Sequence, residues 1–528
     1  MTATSLIDRP TPVTAPDPAA RDPWNEELGA AWRWVLLAFG IATMLVGTIF
    51  PLSDPDLPLH IATGEWIYAH GRVPFVEPFS WTRVGDAYYA YSWGVQLLYY
   101  VLLRAGGPAA LHVLHGLLFA ASAGVMFALG RAAGWRPWTT VWMAGLHLLL
   151  TLNLTPRLRP QIALFILVPL AWALALRVLD GARPRLAVLG LVVVGALAAN
   201  THFLFVLTAL PALSVVTRSP VPWRRAALAA GALALGWVLS PYTAHYGAVL
   251  VQNLGGNALL VPPTPIAEYR PGFLRPQGLT LAIACLLAIL PWGANRMRLT
   301  PRERGWYGLA WLAGLVSFGI AVRALLVWWL ALLPLVALLL DRLPPPETAA
   351  LRRMRLALVG ALLLVIGVKA AGDAAAARRT GVPEGTIAER TLPATEAAAI
   401  EPLAAWLAGH APGRRGRLLT VMMYGGYLQW RLPWLSASID GRAIFPDSAA
   451  LPDAYRHPLD GAPALGPWRS ADVAIVPVRY AVAAVLDTAQ GWRRVRVPMR
   501  RTDRPVAGLW VREAWLAAAR GAAPAASR

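Results

Sequence analysis

The sequence predicts a polytopic α-helical membrane protein with a C-terminal extracytoplasmic α/β domain. Three observations carry this. The 528 residues are 57% hydrophobic and only 14% charged, against about 25% charged in soluble domains. Several apolar windows exceed the roughly 18 residues that cross a bilayer as a helix, and they lack the alternation of a membrane β-barrel, whose strands run only about 10 residues. After about residue 372 such windows stop and short β-rich runs appear.

The elements follow in order. Residues 1–29 are rich in Pro, Asp and Thr and lack a hydrophobic region, which predicts a disordered cytoplasmic tail and no cleavable signal peptide. About eleven spans are expected, near 30–50, 108–130, 138–154, 161–179, 186–199, 203–217, 226–240, 279–294, 305–321, 324–340 and 356–371, making 30–371 a transmembrane domain. With the N-terminus inside, sixteen arginines fall in inner loops and eight in outer ones, and this bias supports that orientation. An odd number of spans then puts the C-terminus outside. The first outer loop, 51–107, is crowded with Trp and Tyr and carries helical spacing over 57–70 and 92–104, which predicts two interfacial helices. A second outer loop, 241–278, is proline-rich and expected to be irregular. The 372–516 segment mixes β-rich runs (418–422, 471–476, 493–497, 508–511) with helical ones (396–409, 480–488), and 517–528 is expected to fray.

The net charge of +20 does not indicate nucleic-acid binding. The arginines are spread over short loops between apolar segments, as membrane topology requires. Lysine is nearly absent, Lys369 being a rare one. Cys285 is the single cysteine, so no intrachain disulfide framework exists.

Residues able to do chemistry collect at the outer ends of the spans. Asp54 and Asp56 flank Pro55 at the start of the first loop. Two carboxylates so close repel, so one is expected to hold its proton unless a cation or metal sits between them. One is a candidate general base toward a hydroxyl. An Asx turn or a helix N-cap is the plain structural alternative. With His60 they also form a candidate ligand set for Mn²⁺ or Mg²⁺. Arg157 and Arg159 lie where topology disfavours arginine, and their planar forks suit phosphate; snorkelling to lipid headgroups is the alternative. Asn200 and His202, Ser240-Pro241-Tyr242, Glu268 and Arg323 complete the ring. Each alone fits a structural cap, but together they fit a wet cavity. Asp440 and Arg442 are expected to fix a turn by an ion pair.

The first loop, SDPDLPLHIATGEWIYAHGRVPFVEPFSWT followed by YSWGVQLLYYVLLR, resembles that of a bacterial group of GT-C-type membrane proteins related to polyprenyl-phosphate-dependent glycosyltransferases. That group shows Asp-Pro-Asp-Leu-Trp-Trp-His, a His-Gly-x-x-Pro turn and Asp-Pro-Phe-Ser. This chain has Asp54-Pro55-Asp56-Leu57 with His60, His70-Gly71 with Pro74, and Glu77-Pro78-Phe79-Ser80. Arg159-Pro160-Gln161, Asn200 with His202, Pro241-Tyr242 and Glu268 fall where the group has similar motifs, as do Gly425-Gly426-Tyr427-Leu428 and Ile439-Asp440-Gly441-Arg442. The Trp pair is Pro58-Leu59 here, a His-Glu-Trp is Tyr91-Ser92-Trp93, and glycines after the Asn/His pair are Phe203 and Leu204.

The resemblance implies transfer of a sugar from a polyprenyl-phosphate donor to an extracytoplasmic glycan, lipid or protein acceptor at the plasma membrane. It implies Asp54 or Asp56 as the catalytic base, and His60, Arg157, Arg159, Gln161, Asn200, His202, Glu268 and Arg323 around the substrate. A transporter or flippase of lipid-linked sugars is one rival, expected to show broken helices at the membrane midplane. A non-catalytic GT-C-like assembly protein is the other, favoured by the missing His-Glu pair.

Overall fold

A computed structural model describes residues 56–154, 157–210, 222–255, 299–320, 325–342, 394–442, 467–498 and 506–521, with Leu52, Asp54 and scattered positions in 37–44 and 360–371. The expected spans at 30–50 and 356–371 fall largely outside these residues, and the one at 279–294, Glu268 and Arg323 fall wholly outside them.

Among the described residues the first part of the chain is helical: α1 (Leu57–His70), α2 (Trp93–Ala133), α3 (Pro137–Leu154), α4 (Leu164–Asp180), α5 (Pro184–Ala199), α6 (Trp223–Trp237), α7 (Tyr246–Leu250), α8 (Pro301–Ile320) and α9 (Leu325–Asp341). By length and composition, 93–133 and 160–180 could each cross a membrane, and Pro184–Ala199 and Leu326–Asp341 are shorter apolar helices. The expected elements at 92–104 and 108–130 are two arms of α2. They join at Gly107, whose φ of 61° and ψ of −162° suit glycine, just before Pro108. The core packs α2, α3, α4 and α9 through Phe119, Met126, Met143, Phe165, Trp328 and Leu333.

Helix α1 forms over the expected 57–70, with Leu57, Leu59, Ile61 and Ile67 buried and Tyr68, Ala69 and His70 exposed. Two expectations change. The helix expected over 203–217 begins as a turn and a 3₁₀ segment, Phe205–Ala209, after Asn200 has closed α5. The loop expected to be irregular opens with a 3₁₀ turn, Thr243–His245, and α7.

The C-terminal part holds α10 (Ala394–His410), β1 (Gly416–Thr420), α11 (Met422–Arg431), β2 (Leu435–Ala437), β3 (Val473–Pro477), α12 (Ala481–Thr488), β4 (Trp492–Val495), β5 (Ala507–Arg512) and α13 (Glu513–Gly521). The strand order is β2-β1-β3-β5-β4. Pairs β1/β2 and β1/β3 are parallel, whereas β3/β5 and β4/β5 are antiparallel. Strand β3 is buried along its length, as a central strand covered on both faces should be. The expectation of a frayed tail from 517 is corrected for 517–521: α13 runs to Gly521, anchored by buried Trp515 and Leu516.

Candidate functional site

The first loop and the sheet form one structure. Val76 pairs with Ala87 in a short hairpin, and Ser80 makes a parallel bridge to Ala437 beside edge strand β2. The Ser80 and Thr82 hydroxyls donate to the Ser438 carbonyl at 3.0 and 2.7 Å. The Trp81 indole donates to the Leu418 carbonyl at 3.2 Å, and the Ser436 hydroxyl to that of Phe79 at 2.6 Å. These bonds satisfy groups on an edge that would otherwise be open to pairing.

At one end of this loop lies the acid pair. The Asp54 carboxylate is fully buried and accepts the Asp56 backbone N–H at 2.9 Å, so the expected Asx turn forms. Asp56 stands before α1 at the N-cap position, with no side-chain capping bond, and Pro58 occupies the first turn. Arg159, brought in just before the 3₁₀ turn Pro160–Ala163, is itself buried. Its Nε donates to Asp54 Oδ2, its Nη2 lies 3.3 Å from Asp54 Oδ1, and Nη2 also lies 3.3 Å from Asp56 Oδ2. Burial alone would raise the Asp54 pKa, but the Arg159 charge and hydrogen bonds, Arg157 and the Asp56 N–H hold it below the usual carboxylate value. The expected repulsion is thus resolved by a guanidinium between the acids. The Asp56 side chain keeps 30% exposure.

His60, one turn into α1, hydrogen-bonds through Nδ1 to Gln96 Nε2 at 3.1 Å. Burial pushes its pKa down to about 4; the Asp54 charge opposes this and Arg159 adds to it. It is therefore a neutral ring at physiological pH. Among the described residues no group of three His, Cys, Asp or Glu side chains is arranged to hold a metal. The expected ligand set of Asp54, Asp56 and His60 is corrected accordingly: Arg159 fills the space between the carboxylates, and the imidazole bonds to an amide. A divalent cation would have to displace a buried guanidinium, so these residues do not fit one.

The remaining predicted residues divide. Arg157 is exposed, close enough for its charge to act on Asp54, and makes no ion pair among the described residues. Gln161 is buried in the turn after Arg159. Asn200 sits elsewhere and does structural work: its Oδ1 accepts the Trp93 indole N–H at 2.6 Å, and its amide donates to the Ala196 and Leu239 carbonyls. His202 is buried beside the Tyr91 and Phe203 rings, and its Nδ1 accepts the Leu204 N–H at 3.2 Å. Tyr242 donates to the Pro74 carbonyl at 2.8 Å and ties the 240–242 turn to the first loop.

A residue missing from the predicted site is Glu77. It accepts the Phe79 and Ser80 N–H groups at 2.8 and 2.9 Å and forms a two-pronged ion pair with Arg442, at 2.6 and 2.8 Å. Arg442 also pairs with Asp440, as expected for that turn, and lies over the Tyr88 ring at 4.5 Å. Burial alone would raise the Asp440 pKa, but Arg442 outweighs it and holds the carboxyl below the usual value. The turn between them places Gly441 directly on Asp56: a Cβ there would stand 2.6 Å from Asp56 Oδ1.

No protein-family model matches the sequence, and no curated protein matches it. Solved structures do. The chain superposes on the arabinofuranosyltransferase AftD from Mycobacteria with a TM-score of 0.55 and 18% identity, over 91% of this chain and 41% of that one. It superposes on the Archaeoglobus fulgidus oligosaccharyltransferase, solved with a tethered acceptor peptide, with a TM-score of 0.52 and 11% identity, over 87% of this chain and 70% of that one. Both are GT-C-type glycosyltransferases, and the chain has their helical membrane fold. It spans less than half the length of the arabinofuranosyltransferase chain.

Proposed function

We propose that the protein is a GT-C-type glycosyltransferase that moves a sugar from a polyprenyl-phosphate donor to an extracytoplasmic glycan, lipid or protein acceptor. The observation that carries this is the partly exposed Asp56 carboxylate beside Arg159, with exposed Arg157 near enough to act on Asp54, on a fold shared with glycosyltransferases. Asp54 is sealed and bonded on both oxygens, so Asp56 takes the role of base. It accepts the proton of the acceptor hydroxyl as that oxygen attacks the anomeric carbon. The bond from that carbon to the donor phosphate oxygen breaks, and configuration inverts. The phosphate leaves with the electron pair, and Arg157 and Arg159 meet the developing charge. Removing such a base lowers the rate by roughly 10²–10⁴-fold.

In this reading the site opens to the outer face of the plasma membrane, and the C-terminal sheet orients the acceptor. The test is glycan and lipid-linked sugar profiling of a deletion strain complemented with wild type, Asp54→Asn or Asp56→Asn. The expected result is restoration by wild type and loss with Asp56→Asn at normal protein level. A normal profile with Asp56→Asn overturns catalysis by this residue. It would favour the assembly-protein reading, in which Arg159 simply neutralises both acids.

A further inference from the structure

We infer that Gly441 and Arg442 are positioning residues for Asp56: the Asp440–Arg442 turn is a seat that fixes where that carboxylate points. The inference rests on the reading of Asp56 as base. It begins with a steric fact. The glycine at 441 leaves room for Asp56 Oδ1, whereas any side chain would put a carbon 2.6 Å from it. That is closer than real Cβ atoms come to a neighbour, which is 3.0 Å or more. The obstacle is the end of a side chain and not backbone, so an added methyl displaces Asp56 more readily than it unfolds the protein.

The seat is also held rigidly. The Arg442 N–H donates to Asp440 Oδ1 at 3.0 Å, closing an Asx turn around Gly441. The Arg442 guanidinium returns to Asp440 and grips Glu77 with two nitrogens. Gln429 on α11 donates to the other side of Asp440 at 3.1 Å. The Phe79 and Tyr88 rings lie against the guanidinium, at 5.3 and 4.5 Å from their centres. Side-chain exposure is 7% for Arg442, 3% for Asp440 and 0% for Glu77, so the ion-pair network is shielded from solvent. Asp56 precedes helix α1 and Glu77 follows it, and both meet the 440–442 turn. The turn therefore fixes the distance between α1 and the sheet and presents the carboxylate to Arg159 at 3.3 Å. A displacement near 1 Å at a reacting group costs about 10²-fold in rate.

The test uses purified full-length protein in detergent. Carboxyl groups are amidated with a water-soluble carbodiimide and glycine ethyl ester, and the peptide holding Asp56 is followed by mass spectrometry. Asp86, 47% exposed on the hairpin arm beside Ala87, is the internal reference. Gly441→Ala is expected to raise Asp56 labelling several-fold with Asp86 unchanged and the melting midpoint nearly so. Arg442→Lys, which keeps the charge but loses the fork, is expected to raise it less. Asp56 labelling at the wild-type rate in Gly441→Ala overturns the inference. If Gly441→Ala proves hard to isolate, the pair decides: Asp56→Ala with Gly441→Ala should melt as Asp56→Ala alone does. A further loss in the double variant refutes the contact. Altered labelling together with a normal sugar profile in Asp56→Asn cells would leave the seat standing and remove the base, so the two failures are distinguishable.

Discussion

Replacing Arg442 by methionine should open the seam between the first loop and the sheet, and it should do so in a pH-dependent way. The guanidinium is the shared cation of two carboxylates, Glu77 and Asp440, with side-chain exposures of 0% and 3%. Breaking a buried pair by removing one member costs roughly 3–5 kcal/mol, because a buried charge is left uncompensated. At about 1.4 kcal/mol per tenfold, that is a hundred- to few-thousand-fold increase in local opening. The assay is hydrogen exchange at the Ser80 amide, which donates to Glu77 Oε1 at 2.9 Å on the loop side of the seam, with variant and wild type compared at the same pH. The Asp440 pKa is depressed in the folded protein. Its contribution is therefore present above the unfolded value of about 3.9 and is lost as pH falls through the lower folded one. Without the guanidinium, burial, which raises that pKa, is opposed only by the Gln429 and residue-442 N–H hydrogen bonds, so the carboxyl takes a proton at higher pH than in the wild type. The gap between variant and wild type should thus be widest at pH 7 and narrow toward pH 4. Equal exchange at pH 7, or a gap that does not shrink with acid, would refute the reasoning. Converting Glu77, Asp440 and Arg442 together to leucine should cost less than losing Arg442 alone, since no charge is stranded.

Other consequences are more local. The His60 ring should titrate near pH 4, read by deuterium exchange at its ring carbon. Its folded pKa lies below the usual 6.5, so the stability it confers is complete above pH 6.5 and falls between 6.5 and about 4; a midpoint near 6.5 would mean the ring is wet. Asp54→Asn keeps an acceptor for the Asp56 N–H but takes from Arg159 its buried carboxylate and leaves Asp56 as the counter-charge, so it should cost less than the roughly 3–5 kcal/mol of an uncompensated buried charge. Because the Asp54 pKa is depressed, the melting difference from wild type should persist at pH 5 and close only in stronger acid. Asn200→Ala removes three hydrogen bonds and should cost about 1–3 kcal/mol, yet restore a normal sugar profile wherever the protein accumulates. An abnormal profile at full protein level would put Asn200 in contact with substrate.

Much of this could be read from local pattern. Asp54 and Asp56 stood out because charge beside an apolar span is expensive, and the i, i+2 spacing of Asp440 and Arg442 announced a turn. What escaped was long-range or weakly patterned. Glu77 and Arg442 are 365 positions apart, and nothing local to either says that they meet. Strand β2 is only three residues, Leu435–Ala437, too short for an alternating pattern to register. Helix α11 was masked by Gly425-Gly426, and α13 by an Ala/Arg composition that reads as frayed, although Trp515 and Leu516 anchor it. Arg159 was recognised as a cation out of place. Its carboxylate partners lie 105 positions away, and only the fold assigns it to them.

The pairing of Arg159 also bears on the departure at Tyr91-Ser92-Trp93, where the resembling group carries a His-Glu pair. In this chain those positions are bound to a different corner. Trp93 donates to Asn200, the Gly94 N–H reaches the Asn200 carbonyl at 3.1 Å, and the Tyr91 ring packs on His202 and Phe203. They close the first loop onto the end of α5. The acid pair is held by other means: the Asx turn, Arg159 and the Gly441 seat. None of these contacts runs through Tyr91, Ser92 or Trp93. Loss of the His-Glu pair therefore leaves these contacts of Asp56 in place, and the Tyr91 and Trp93 side chains lie instead against the 200–203 turn. On the proposed reading, the absence of that pair is therefore no argument against Asp56 as the base.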